Sequence, residues 1–193
     1  MSKIKRRTRK MINDRLIAVI AGHRGKGTGA VGIIDEAVEN VEMRNLICEE
    51  LSQKGTPFVT DSVKQSLSEV VEYLRTTLQK YDIALDIHFN SCGDASVGGT
   101  EVIVPNRYTC DEWQIAEELL DGTCAILGTK NRGIKTEQQT PHERLAMLSN
   151  FDACNILLEI CFVNNKQDIK AYRAKKGELA KFYAEVLHKW SRK

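Results

Sequence analysis

The stretch ILLEICFV, residues 156–163, is an apolar run of strand length with one carboxylate, Glu159, near its middle. A continuous run of this kind suits a strand covered on both faces, whereas a half-exposed strand would alternate polar and apolar positions. Outward from it, residues 16–21 (LIAVIA), 83–89 (IALDIHF) and 99–104 (GTEVIV) read as further strands, with a short one at 57–60. Helical spacing fills the intervals. Residues 36–54 repeat apolar positions at Val38, Val41, Leu46, Ile47 and Leu51 before the stop signal Gly55. A second helix, capped by Asp61 or Ser62, is predicted through Val63, Leu67, Val70, Val71, Leu74 and Leu78. Two more are predicted over 111–127 and 167–190. Strands alternating with helices predict an α/β fold, a single-domain three-layer sandwich with a mostly parallel twisted sheet and helices on both faces. No internal repeat or low-complexity linker divides the chain.

The 193 residues suit one domain, and 42% hydrophobic with 28% charged residues excludes a disordered or collagen-like chain. A domain of this size buries enough surface to fold without a disulfide or metal, so a metal here would serve chemistry. The net charge of +2 is unevenly spread: residues 1–15 carry seven of the 28 basic residues and one of the 26 acidic ones. The expectation is a basic, poorly ordered arm over residues 1–15 ahead of a mildly acidic domain over 16–193. Such an arm is a solvated terminus or an attractor of polyanions. The six cysteines form no CxxC pair and read as reduced, mostly buried thiols. No stretch is apolar enough to span a bilayer and no secretory signal is evident. The expected localisation is synthesis in the cytoplasm without a signal peptide.

Three polar residues hold equivalent places: His23 just past the strand 16–21, His88 near the end of the strand 83–89, and Glu159 inside the last. Ligands of open α/β sheets bind beyond the carboxyl ends of the strands, so these side chains can converge on one crevice. A carboxylate within an apolar strand is costly unless paired, hydrogen-bonded or near a metal. Two histidines and a carboxylate form the ligand set of a hydrolytic zinc site, in which a further carboxylate serves as base and then acid. Spacing leaves the third ligand open among Asp35, Glu36, Glu39 and Asp86.

These blocks, in this order, resemble the zinc-dependent N-acetylmuramoyl-L-alanine amidases (type 3) of bacterial autolysins, spore-wall enzymes and phage endolysins. AGHRGKGTGAVG (21–32) resembles the family's Gly-His-Gly-Gly loop, and IIDEAVENVEMRNLICEEL (33–51) resembles the segment with a Glu four residues before an Asn, here Glu36 and Asn40. DIALDIHFNS (82–91) is similar to the strand ending in Ile-His-x-Asn, NRGIK (131–135) to an Arg-Gly-x-Lys segment, and NILLEICFVNNKQD (155–168) to the block with the catalytic Glu. The resemblance implies one zinc ion held by His23, Glu36 and His88, with Glu159 handling protons and Asn90 and Arg132 contacting substrate. It implies hydrolysis of the amide between N-acetylmuramic acid and the L-alanine of the peptidoglycan stem peptide. Three positions depart from the pattern. Arg24 replaces a frequent glycine, Gly27 a common aspartate, and Asp86 the small residue often found two before the zinc histidine. Asp86 shares a strand face with His88, and orienting that ligand, meeting an arm base and tuning specificity are all open to it. His142 reads as a surface residue at a helix start.

The rival readings are a zinc peptidase acting on another cell-wall amide, an inactive peptidoglycan-binding module, a cysteine hydrolase and a nucleic-acid binder. The third would use Cys161, which strand periodicity places on the face of Glu159, or Cys92. The last rests on the arm alone, with no accompanying motif for specific nucleic acid. The expected partners are peptidoglycan and, through the arm, anionic envelope polymers. The expectation is a catalytic domain without a separate wall-binding domain, and action after release by holin-type pores or lysis, as in a phage endolysin, is the favoured setting.

Overall fold

The computed structural model describes residues 14–25 and 28–193. Thirteen of the fifteen residues of the expected basic arm therefore lie outside the described residues, as does Gly27. Six strands form one sheet in the order β2-β1-β3-β6-β4-β5. These are β1 (Ile17–Ala21), β2 (Phe58–Thr60), β3 (Ile83–Asn90), β4 (Thr100–Val104), β5 (Asn131–Thr136) and β6 (Cys154–Phe162). β2, β1, β3 and β6 run parallel; β4 runs antiparallel to β6, and β5 parallel to β4. The mostly parallel α/β sandwich expected from the sequence is the fold observed.

Alternation along each strand sorts the core into two layers. Ile17, Val19, Ile83, Leu85 and Ile87 pack with residues of α1 (Glu36–Gln53), α3 (Cys110–Leu127) and α5 (Lys166–Ser191). Ala18, Ile20 and Ala84 face Val70 and Leu74 of α2 (Leu67–Thr77) and Met147 of α4 (Ala146–Ser149). Each layer removes large aliphatic side chains from water, at about 1.5–3 kcal/mol per fully buried residue.

Three local readings change. The second helix starts at Leu67 rather than near 62, because Ser66 and Glu69 form a reciprocal capping box there. Asp61 is drawn away by buried cations: it accepts the Ala21 N–H at 3.1 Å and lies 3.0 Å from Arg44 and 3.5 Å from Arg24. Residues 131–136, with little apolar character, form β5 by pairing with β4. Two of the six cysteines, Cys154 and Cys161, are buried; Cys48, Cys92 and Cys124 are half-buried and Cys110 is exposed, and all six are free thiols.

Candidate metal centre and catalytic cleft

The parallel strands end together, and the antiparallel run of β4 brings its first residues to the same edge. Glu101 of β4 is level with Glu159 of β6, and Glu159 with His88 of β3. His88, Glu159, Glu101 and Asp86 thus line one cleft of about 730 Å³, together with His23 and Glu36. Its opposite wall is the segment after β5, including Gln139, His142, Arg144 and Met147. Buried Glu137 anchors this wall by accepting the Leu145 N–H at 2.7 Å and the Ser149 hydroxyl.

His23, Glu36 and His88 each offer a ligand atom, and these atoms lie within 4.8 Å of one another. His23 sits in the loop after β1, tied down by Arg24, whose guanidinium donates to Ala21 O at 2.7 Å and approaches Asp61. Arg24 is thus a cation that staples the loop to the segment before α2. Glu36 opens α1, where Asp35 is the N-cap and accepts the Ala37 N–H. The Glu36 carboxylate accepts N–H groups from Ala30 at 2.8 Å and Phe89 at 3.2 Å. His88 meets Glu36 through Nδ1 at 3.1 Å and Asp86 through Nε2 at 3.1 Å.

Glycines bring these groups this close. A Cβ at Gly22 would overlap the His88 ring, and one at Gly29, in the left-handed region at φ 78°, would lie 2.7 Å from both Glu36 Oε2 and His23 Cγ.

The electrostatics follow from burial and charge. Loss of water lowers the His23 pKa, against the pull of Glu36. Burial opposes charge on His88, but Asp86 and Glu36 outweigh it and hold its pKa well above the ordinary value. Burial likewise opposes ionisation of Glu36, and His88 overcomes it. Removal from water pushes Glu159 up to about 8; His88 counters this, while Glu36, Glu101 and Asp86 add to it. Glu159 Oε2 is buried with no partner among the described residues.

The structure brings Asn90 into the cleft and leaves Arg132 behind it. Asn90 donates to Glu101 Oε1 at 2.9 Å, while Arg132 Nε reaches Glu101 Oε2 at 2.8 Å and its guanidinium stacks 4.8 Å from the Phe162 ring. Lys135, not Arg132, lines the cleft, with Nζ 2.7 Å from Glu101 Oε2. Burial opposes the charge on Glu101, but Lys135 and Arg132 prevail and hold its pKa below the ordinary value. The sequence reading missed Glu101, although a carboxylate inside the apolar run TEVIV carries the same signal as Glu159. His142 is exposed on the cleft wall in a turn rather than at a helix start. Cys161 does not share a face with Glu159. A bulge after Glu159 breaks the alternation, and Cys161 is buried with Ile160 in the α1–α3–α5 core, where burial raises its thiol pKa far above the ordinary value. That removes it as a nucleophile.

Two imidazoles and a carboxylate at one strand edge, with a separate carboxylate beside them, form a donor set able to hold a divalent metal and keep a position open, the class of site found in metallohydrolases. The family model for N-acetylmuramoyl-L-alanine amidases matches residues 17–189, and the chain belongs to that family. An uncharacterized protein of Clostridium perfringens is 30% identical over 180 residues, covering 89% of this chain and 51% of its own length. The chain thus spans about half the length of the first curated relatives it matches. Two solved structures share the fold. N-acetylmuramoyl-L-alanine amidase AmiC2 of Nostoc punctiforme superimposes with a TM-score of 0.77 at 22% identity, covering 94% of this chain and 99% of that one. The catalytic domain of CD27L endolysin, which targets Clostridia Difficile, does so at 0.71 and 22%, covering 90% and 96%. Among the described residues, no helix is long and apolar enough to cross a membrane.

Proposed function

We propose that this chain is a zinc-dependent peptidoglycan amidase that cleaves the bond between N-acetylmuramic acid and the L-alanine of the stem peptide. The observation that carries the proposal is the gathering of His23, Glu36 and His88 beside Glu159, in a chain of the amidase family. The donor chemistry fits zinc: two imidazoles and one carboxylate, a close glycine cradle and an orphaned carboxylate oxygen on Glu159. Zinc held there would supply a Lewis acid for the scissile carbonyl and lower the pKa of water to about 7.

The protein's own part falls to Glu159. Removal from water raises the proton affinity of Glu159, so its carboxylate form is a stronger base than an exposed glutamate. Glu159 takes the proton of the attacking water and returns it to the departing nitrogen of L-alanine. Asn90 is the substrate contact of this reading, and Arg132 acts through Glu101 by holding that carboxylate in place. The basic arm over residues 1–15 serves attraction to anionic envelope polymers, and the setting is a phage endolysin or another lytic wall enzyme.

The test is mass spectrometry of purified peptidoglycan digested with and without a zinc chelator. Free stem peptides beginning at L-alanine, lost on chelation and restored by zinc, are the expected result. Cuts elsewhere in the peptide would overturn the substrate assignment, and a protein that neither binds zinc nor cleaves would overturn the whole reading.

A further inference from the structure

Asp86, like Glu159 beside it, is poorly satisfied for a buried carboxylate, whereas those outside the cluster are well partnered. Asp61 meets two guanidiniums and a backbone N–H, Glu101 accepts from three side chains, and Glu112 accepts the N–H groups of Thr109 and Asn155. Asp168 accepts those of Gly99 and Phe162. Asp86 is 3% exposed, lies mid-sheet between Ile20 and Leu157, and has one partner among the described residues, His88 Nε2 at 3.1 Å. Its Oδ1 is buried without a hydrogen bond. A carboxylate so placed is costly to bury, and its one contact points to its use.

His88 turns its two nitrogens to different tasks. Nδ1 faces Glu36 and the ligand cluster, while Nε2 faces Asp86. An imidazole that donates a lone pair to a metal must carry its proton on the other nitrogen, and an acceptor there fixes both tautomer and ring orientation. We propose that Asp86 is a positioning residue for the metal centre: it accepts the Nε2–H of His88, aims the Nδ1 lone pair into the cluster formed with His23 and Glu36, and makes that nitrogen a better donor. This rests on the metal-site reading above and adds to it a residue that departs from the family pattern at that position. Gly22, which leaves the His88 ring its space, confines the ring from the other strand.

The test measures zinc affinity by competition with a chromogenic chelator in the wild type, Asp86→Asn, Asp86→Ala and Asp86→Ser. Proton NMR of the zinc-loaded proteins follows the imidazole N–H of His88. The expected loss in zinc affinity is about 10- to 100-fold for the Ala and Ser variants. Asp86→Asn keeps the acceptor but not the charge, so its affinity should fall between these and the wild type, and it guards against an Ala variant that fails to fold. The wild type should show a slowly exchanging, far-downfield His88 N–H resonance that is lost in Asp86→Ala and retained in Asp86→Asn. Zinc affinity within twofold of wild type in all variants would overturn the proposal, as would an unchanged His88 resonance in Asp86→Ala. If the wild type binds one zinc and cleaves peptidoglycan while these variants match it, only the role of Asp86 falls. A wild type that binds no zinc overturns both readings.

Discussion

Gly22 and His88 occupy adjoining space at the ends of neighbouring strands, so closely that a methyl group on Gly22 would overlap the imidazole. Its backbone does not require glycine, since φ is not positive there, and the constraint comes from the ring alone. Gly22→Ala is therefore expected to weaken zinc binding at least tenfold and to destabilise the fold by about 1–3 kcal/mol, the range for overpacking. In a His88→Ala background the same change should be nearly neutral. Urea denaturation of the four proteins in this cycle checks it, and additive losses would refute it.

Glu159→Gln keeps shape and removes proton transfer. Stem-peptide release should fall by about 10²- to 10⁴-fold, while zinc still binds at one equivalent. Equal losses in both would assign Glu159 to the metal instead.

Zinc addition to chelator-treated protein should raise its melting temperature. At a hundredfold excess over Kd the gain is about 2.7 kcal/mol, provided the unfolded chain does not bind. His23→Ala and His88→Ala should abolish most of that gain in a thermal-shift measurement, whereas His142→Ala should leave it intact.

Glu101 sets an acid limit on stability. Its folded pKa is depressed by Lys135 and Arg132, so its contribution is fully present above the unfolded value of about 4.3 and is lost as pH falls through the folded value. Glu101→Gln should be less stable than wild type at pH 7 by about 1–3 kcal/mol, and the gap should start to narrow as pH falls below the unfolded value and close only below the depressed folded one. Melting curves between pH 3 and 7 test this; parallel curves would count against it.

Asp61→Ala should cost about 3–5 kcal/mol, because it leaves Arg24 and Arg44 buried without their shared anion. It should also loosen the His23 loop, seen as weaker zinc binding in the fraction that folds. An Arg24→Gly variant, which removes one of the two cations and leaves Asp61 paired with Arg44, should lose less.

The layers and strands were legible in the sequence because apolar periodicity is a local property. Residues 16–21, 83–89 and 156–163 carry enough buried aliphatic side chains to declare strands without knowing their neighbours. β5 did not, since Asn131–Thr136 becomes a strand only by pairing with β4. The start of α2 was misplaced for a related reason. Asp61 resembles an N-cap locally, but two guanidiniums distant in sequence claim it.

For the site, the sequence by itself determined the chemical inventory: His23, His88 and Glu159 stand where strands end, and Glu36 emerges from resemblance to a family. It also marked Arg24 and Asp86 as departures. Only the tertiary structure decided what these residues meet. The antiparallel turn of β4 delivers Glu101 to the cleft, a bulge swings Cys161 away from it, and Arg132 spends its charge behind Glu101 while Lys135 faces the opening. Side-chain identity and spacing are written along the chain. Which groups come within hydrogen-bonding distance depends on strand order and register, and those emerge only when the whole sheet is assembled.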